Sequence, residues 1–229
     1  MDRTERSLRA GLALYSAGEF HAAHDPWEHR WLELGGDEDD EVDGTVAGSG
    51  GSSDGVDSPD RRLLQGLIQT TAAVHHATTG NWRGASGLAE SAQGYLGGLG
   101  STYRGVSLDP VREFLGTVAV TPETVERDGP VAIELDGEPV DPATLEFETV
   151  VLCVEAIVEE YDLDSETVEQ AVEYGRADLT DGRATSPFVS LLVDLVAGGN
   201  RPLVVQRLGD HVARREHEAS GVEGLFDVD

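Results

Sequence analysis

Leu8, Leu12 and Tyr15, with Leu14 beside them, recur at helical spacing and predict a first helix over 7–17 that Gly18 stops. Phe20, Ala23, Trp27, Trp31 and Leu34 then fall three or four residues apart, predicting a second helix over 19–34, antiparallel to the first across a very short turn. Pro26 interrupts this second pattern: inside a helix it removes one backbone hydrogen bond and crowds the preceding turn. Either the helix kinks there, or it starts afresh with Asp25 as its cap.

Residues 35–59 break the periodicity. They contain no aromatic residue and are dense in Gly, Ser and Asp, so they cannot bury enough apolar surface to offset the entropy of ordering; a disordered acidic insertion is expected. Asp60 then caps a third helix to Thr79, and Gly80-Asn81 turns the chain into a fourth, from Trp82 to about Leu96. A shorter helix follows.

Asp109-Pro110 and Asp141-Pro142 each read as a cap residue followed by proline at the first helical position. Between them, 131–140 has the pattern of a small hairpin turning at Asp136-Gly137. Helices are expected again over 142–161, 164–180, 187–197 and 201–218. The fold class is therefore all-α: a bundle of packed antiparallel helical hairpins with one small β-hairpin. Its organisation is expected as an N-terminal helical domain (1–34 and 60–100), the insertion (35–59), and a C-terminal helical region (101–229) that completes the bundle.

Composition adds a statement about environment. The 229 residues carry 16 basic and 44 acidic side chains, a net charge of −28, and every basic residue is arginine. Nine acidic residues and no basic one lie between Gly35 and Asp60, leaving −19 on the helical remainder. A field this negative repels phosphate backbones and anionic lipid, which argues against a nucleic-acid partner. Acidity spread over amphipathic helices, without lysine, resembles a halophilic archaeal protein, because at molar salt the Debye length shrinks to roughly 3 Å and self-repulsion is screened. The polar N-terminus and the single cysteine, Cys153, lead to an expected cytoplasmic location, and no apolar run reaches the length of a membrane span.

One constellation could carry chemistry. His24, Glu28 and Trp31 stand at i, i+4 and i+7, within about 60° on one helical face. Gln65, Gln69 and His76 repeat the alignment on the third helix. Facing each other, His24, Glu28, Gln65, Gln69 and His76 would form a buried polar layer of two imidazoles, one carboxylate and two amides. Such a layer suits acid/base chemistry with Glu28, His24 and His76 in catalytic roles, and Gln65, Gln69 and Trp31 in binding. It also suits a divalent metal on His24, Glu28 and His76, with an open position for metal-assisted hydrolysis. The blander reading is an ion pair that fixes helix register. His21 and His75 are expected on other faces and in solvent, and Arg61-Arg62 at a solvated rim.

Several linked motifs carry a family likeness: Ala17-Gly18-Glu19-Phe20, His24-x-x-x-Glu28-x-x-Trp31, Leu64-Gln65-Gly66-Leu67-Ile68-Gln69, and His76-x-x-x-Gly80-Asn81-x-x-Gly84-Ala85. Over roughly 10–96, apart from the insertion, the chain resembles the family named domain of unknown function 309. The resemblance implies an all-helical fold of packed hairpins in which the histidine, glutamate and tryptophan share one continuous helix, and so favours the kink at Pro26. It supplies no activity.

A second class of function rests on the turns around Gly18 and Gly80. Both follow the order glycine, polar residue, aromatic, small residues, as in tetratricopeptide repeats. They lie 62 positions apart, or 36 without the insertion, against a repeat period of about 34. Under that reading the protein is a helical-hairpin scaffold for a peptide or protein, and the polar layer only sets packing. Enzyme and scaffold both stay open, as do a small molecule, another protein or a further copy of the chain as partner.

Overall fold

A computed structural model describes residues 1–36, 58–183 and 185–223. Most of the insertion expected over 35–59 lies outside the described residues. Ten α-helices and four two-residue strands account for nearly all the regular structure described, which makes the protein mostly α. The chain divides into two compact units, 1–141 and 142–229. The boundary falls near 141 rather than near 100 because the strands and two further helices belong to the first unit, and the second unit has a core of its own.

In the first unit, α1 (Arg3–Ser16) begins four residues before the expected start at 7, because Asp2 caps it: Oδ1 accepts the Glu5 N–H at 2.7 Å. A 3-10 turn, Ala22–His24, leads into α2 (Asp25–Gly36). The turn runs without a break into α2, with His21 and Asp25 both in helical conformation, so the irregularity expected at Pro26 takes the form of a 3-10 segment and not of a fresh helix capped by Asp25. Pro26 sits in the first turn of α2, where its missing N–H would have had no helical partner. Trp27 follows it into the core, fully buried, its indole donating to the Leu8 carbonyl at 3.2 Å.

Ser58, not Asp60, caps α3 (Pro59–Thr78): its Oγ accepts the Arg61 N–H at 3.3 Å. Proline at the first helical position and serine before it are the ordinary opening of a helix. Asn81 caps α4 (Trp82–Leu96). Helices α3 and α4 pack closely through small residues; Ala73, Ala77, Ala85 and Ala89 are fully buried, and a Cβ on Gly66 would come 2.4 Å from Leu96 Cδ2.

Beyond α4, β1 (Thr102–Tyr103) and β2 (Val106–Ser107) form a hairpin absent from the sequence expectation. After α5 (Leu108–Val120) and α6 (Thr124–Asp128), the expected hairpin appears as β3 (Glu134–Leu135) and β4 (Glu138–Pro139), turning at Asp136-Gly137. Val106 pairs with Leu135, so the two hairpins join into one antiparallel sheet ordered β1-β2-β3-β4. The first hairpin escaped notice because Arg104, a residue that rarely takes positive φ, occupies its turn at 47°. Its guanidinium is held there by both Asp60 oxygens at 2.6 Å and by Asp2 at 3.0 Å, which offsets the backbone strain.

In the second unit the proline of Asp141-Pro142 opens only a 3-10 turn, Pro142–Thr144; the helix itself, α7, runs Phe147–Glu160. Helices α8 (Ser165–Thr180), α9 (Pro187–Val196) and α10 (Arg201–Glu223) follow. Phe188, Leu192, Leu195, Ile157 and Leu208 fill the core, with Cys153 buried among them, where burial pushes its thiol pKa up. No helix among the described residues is long and apolar enough to cross a membrane.

The turns at Gly18 and Gly80 share one hydrogen-bond pattern. Glu19 N–H donates to Leu14 O at 2.9 Å and Asn81 N–H to His76 O at 2.8 Å, each beside a glycine at positive φ. Gly182 closes α8 in the same way, with Arg183 N–H on Asp178 O at 2.9 Å. The pattern is the Schellman helix stop. It recurs at Gly198, with Gly199 N–H on Asp194 O at 3.4 Å, so it carries no mark specific to a repeat.

Candidate functional site

The junction between the 3-10 turn and α2 lies against the C-terminal half of α3, and between them is a cavity of about 290 Å³. Four histidines line it: His21 and His24 from the turn, His75 and His76 from α3. Phe20, Ile68 and Ala72 give it an apolar floor. The imidazoles form a continuous array, with ring centroids 4.9 Å apart for His21 and His24, 5.3 Å for His21 and His75, and 6.1 Å for His75 and His76.

His24 is oriented by its own turn. Its Nδ1 lies against the His21 carbonyl, an acceptor to which a protonated Nδ1 would donate. The other nitrogen, Nε2, is 3.1 Å from Asp25 Oδ1 and 3.8 Å from Glu28 Oε2. Donor atoms of these three residues all lie within 4.8 Å of one another. Nε2 thus faces two carboxylate oxygens, an arrangement that could hold a cation between the three groups. The first turn of α2 is also where carboxylates best complement a helix dipole, which accounts for the position of Asp25 and Glu28 on the backbone.

His76 is set in the opposite sense. The Asn81 amide has its orientation fixed because Oδ1 accepts the Gly84 N–H at 3.1 Å, so its NH₂ donates to His76 Nδ1 at 2.8 Å. The neutral His76 ring therefore carries its proton on Nε2. It is a donor in the cavity wall and not a free ligand.

The expected buried layer is corrected in three respects. Glu28 is 53% exposed, and Gln65 and Gln69 are half-buried residues outside the cavity lining, so the five groups do not form one enclosed layer. Trp31 serves elsewhere: the Arg61 guanidinium stacks over its ring at 4.2 Å and donates to its carbonyl at 3.1 Å. Arg61 is correspondingly buried, not at a solvated rim. His21 and His75, expected on other faces, are wall residues; the spacing of His21 and His24 at i, i+3 was the signal that could have found the first. Asp25 entered the group through the 3-10 turn, which no periodicity rule announced.

Residues 8–51 and 54–88 match the model of the family described as Domain of unknown function (DUF309). This N-terminal segment belongs to DUF309. The whole histidine cavity and the His24, Asp25, Glu28 group fall inside the DUF309 match. No curated protein matches the sequence.

Proposed function

We propose that the DUF309 segment binds a divalent transition-metal ion on His24, Asp25 and Glu28, and that the adjoining cavity takes a small molecule for metal-assisted hydrolysis. The observation that carries this reading is the placement of His24, with Nδ1 against the His21 carbonyl and Nε2 facing the Asp25 and Glu28 carboxylates. A metal-binding histidine nearly always donates its other N–H to a carbonyl or carboxylate, and His24 Nδ1 is placed to donate to the His21 carbonyl. With bonds of about 2.0 Å, tetrahedral zinc sets neighbouring ligand atoms about 3.3 Å apart; the His24 nitrogen lies 3.1 and 3.8 Å from its two carboxylates. Three protein ligands leave a position for water or substrate. A bound metal would supply Lewis acidity and an activated water. His24 belongs both to this group and to the cavity wall, and His76 offers an N–H to charge developing on a substrate. His21 and His75 stand between them as acid/base groups.

Untagged protein passed through a chelating column and titrated with Zn²⁺ is expected to bind one equivalent, and His24→Ala to lose at least about tenfold in affinity, the scale of losing a ligand or its support. Equal binding by the variant would leave the ion pair as the only role of His24.

We also infer that the chain works in a salt-rich cytosol, on the strength of its net −28 and absence of lysine. Its melting temperature is then expected to rise steadily between dilute buffer and molar KCl, as repulsion is screened. An equal or higher melting temperature in dilute buffer would contradict this.

A further inference from the structure

The histidine cavity has a polarity that narrows what it can hold. His76 Nδ1 is taken by the Asn81 amide, and Asn81 is outside the cavity lining, so the ring edge left to the cavity is the one carrying Nε2–H. The Gly84 N–H engages Asn81 Oδ1 in turn, which keeps the amide from flipping. The Thr71 hydroxyl donates to the Ile68 carbonyl and adds no second donor. A ligand therefore meets a hydrogen-bond donor at the His76 wall and needs an acceptor to match it. Phe20, Ile68 and Ala72 are only partly covered by the fold, so apolar surface remains for the rest of the ligand.

Charge decides between an anionic and an uncharged acceptor. Among the described residues no arginine lines the cavity, and the chain holds no lysine. A divalent ion on Asp25 and Glu28 would be neutralised by their two carboxylates, and without the ion those carboxylates leave the site negative. Either way a phosphate or carboxylate group finds no net positive charge to offset its desolvation, in a chain of net −28. A carbonyl oxygen supplies the acceptor without the charge. The volume of about 290 Å³ lies at the lower edge for small-molecule sites, which limits the ligand to a single ring or a short chain.

We infer that the substrate of this cavity is a small, uncharged ester or amide, with its carbonyl oxygen on His76 Nε2–H and its apolar part on Phe20, Ile68 and Ala72. Asn81 is the positioning residue that keeps the donor turned inward. The inference rests on the proposed use of the cavity as a substrate site. Hydrolysis adds water across the acyl C–O or C–N bond, which breaks to give a carboxylic acid and an alcohol or amine, with no other reactant. The carboxylate product is then the poorer ligand, which favours its release.

The test uses the full chain, labelled with ¹⁵N, and three probes with one apolar body: benzamide, benzoate and phenyl phosphate, each titrated with and without Zn²⁺. Benzamide should shift the His76 signals saturably and bind at least about tenfold more tightly than phenyl phosphate, which has no cation to offset its desolvation. In Asn81→Asp the new carboxylate accepts from His76 Nδ1–H, so the ring should give up the Nε2 proton, visible in its nitrogen shifts at a pH where the imidazoles are neutral. Aspartate caps as well as asparagine, so α4 is kept. Benzamide should then bind about tenfold more weakly, the scale of leaving one polar group unpaired. Absence of saturable benzamide binding at His76 would overturn the inference, as would benzoate or phenyl phosphate binding equally well. So would an Asn81→Asp protein in which either the tautomer or the benzamide affinity is unchanged. The expected benzamide behaviour in a protein that takes up no Zn²⁺ would uphold the ligand class and remove only the metal.

Discussion

Replacing Asp178 by alanine is expected to cost the second unit about 3–5 kcal/mol, the usual consequence of leaving buried ion-pair partners uncompensated. Asp178 is 2% exposed at the heart of three helices. It accepts hydrogen bonds from Arg215 on α10 at 2.5 Å and from Ser186, the cap of α9, at 2.8 Å, with Arg183 at 3.1 Å. Arg215 in turn stacks over Tyr174 at 4.7 Å, so losing the carboxylate strands a cation packed among aromatic rings. All three tryptophans, Trp27, Trp31 and Trp82, lie in the first unit, so their fluorescence will not report this loss. Amide hydrogen exchange over α8, α9 and α10 will.

The same carboxylate sets a pH dependence. Burial alone would raise the Asp178 pKa; the hydrogen bonds from Arg215 and Ser186 outweigh it and hold the pKa below the ordinary carboxylate value. A folded pKa below the unfolded one means that this contribution is complete above about pH 4 and is lost as pH falls through the folded value. Protection of the α8 to α10 amides, measured relative to their intrinsic exchange rates at each pH, should therefore fall in acid in the parent protein, and much less so in Asp178→Ala. Equal acid sensitivity in both would remove Asp178 as its source.

The second large effect is expected at Gly11. A Cβ there would lie 2.2 Å from Trp27 Cε2, 2.4 Å from Nε1 and 2.7 Å from the Ala23 carbonyl oxygen. Neither a ring with no exposed surface nor a backbone carbonyl can yield cheaply, and the shift would pull the indole from Leu8. Gly11→Ala should destabilise the first unit by about 3 kcal/mol, the upper range for overpacking. Gly87→Ala is the counterpart within the same unit: it meets nothing within 4 Å in an exposed part of α4 and should stabilise by about 0.5–1 kcal/mol. Tryptophan fluorescence on denaturant unfolding distinguishes the two. Equal effects would mean that the contact between α1 and α2 is looser than these distances require.

Helix periodicity placed α1, α3, α4, α8 and α9 well, because each has a clear apolar stripe and a recognisable stop or start. It left Pro26 open, because a bend and a fresh start satisfy the same residue pattern, and the 3-10 segment that precedes Pro26 has no periodicity of its own. The β1–β2 hairpin was illegible for a related reason. Arg104 adopts its turn only because Asp2 and Asp60, distant in sequence, bind its guanidinium. At the site, His24, Glu28 and His76 were legible from spacing. Their roles were not, because these depend on which nitrogen faces which partner, and Asn81 and the His21 carbonyl decide that.

Gln65, Gln69 and Trp31 show the limit of a face-sharing argument. They do line up with His76 or with Glu28 on their own helices, yet alignment along one helix does not set how far around the neighbouring helix a side chain can reach. Trp31 found Arg61, and the cavity closed around Ile68, Thr71 and Ala72 instead of the glutamines.

The measurement that tests the central claim most directly is the visible absorption of the untagged protein titrated with Co²⁺, which reports ligand number and geometry at the ion itself. A saturable, one-equivalent spectrum of low-symmetry, four- or five-coordinate cobalt, abolished by His24→Ala and altered by Asp25→Asn, is the result expected from a site built on His24, Asp25 and Glu28. A spectrum indistinguishable from aquated cobalt would contradict it and reduce the group to an ion pair at the start of α2.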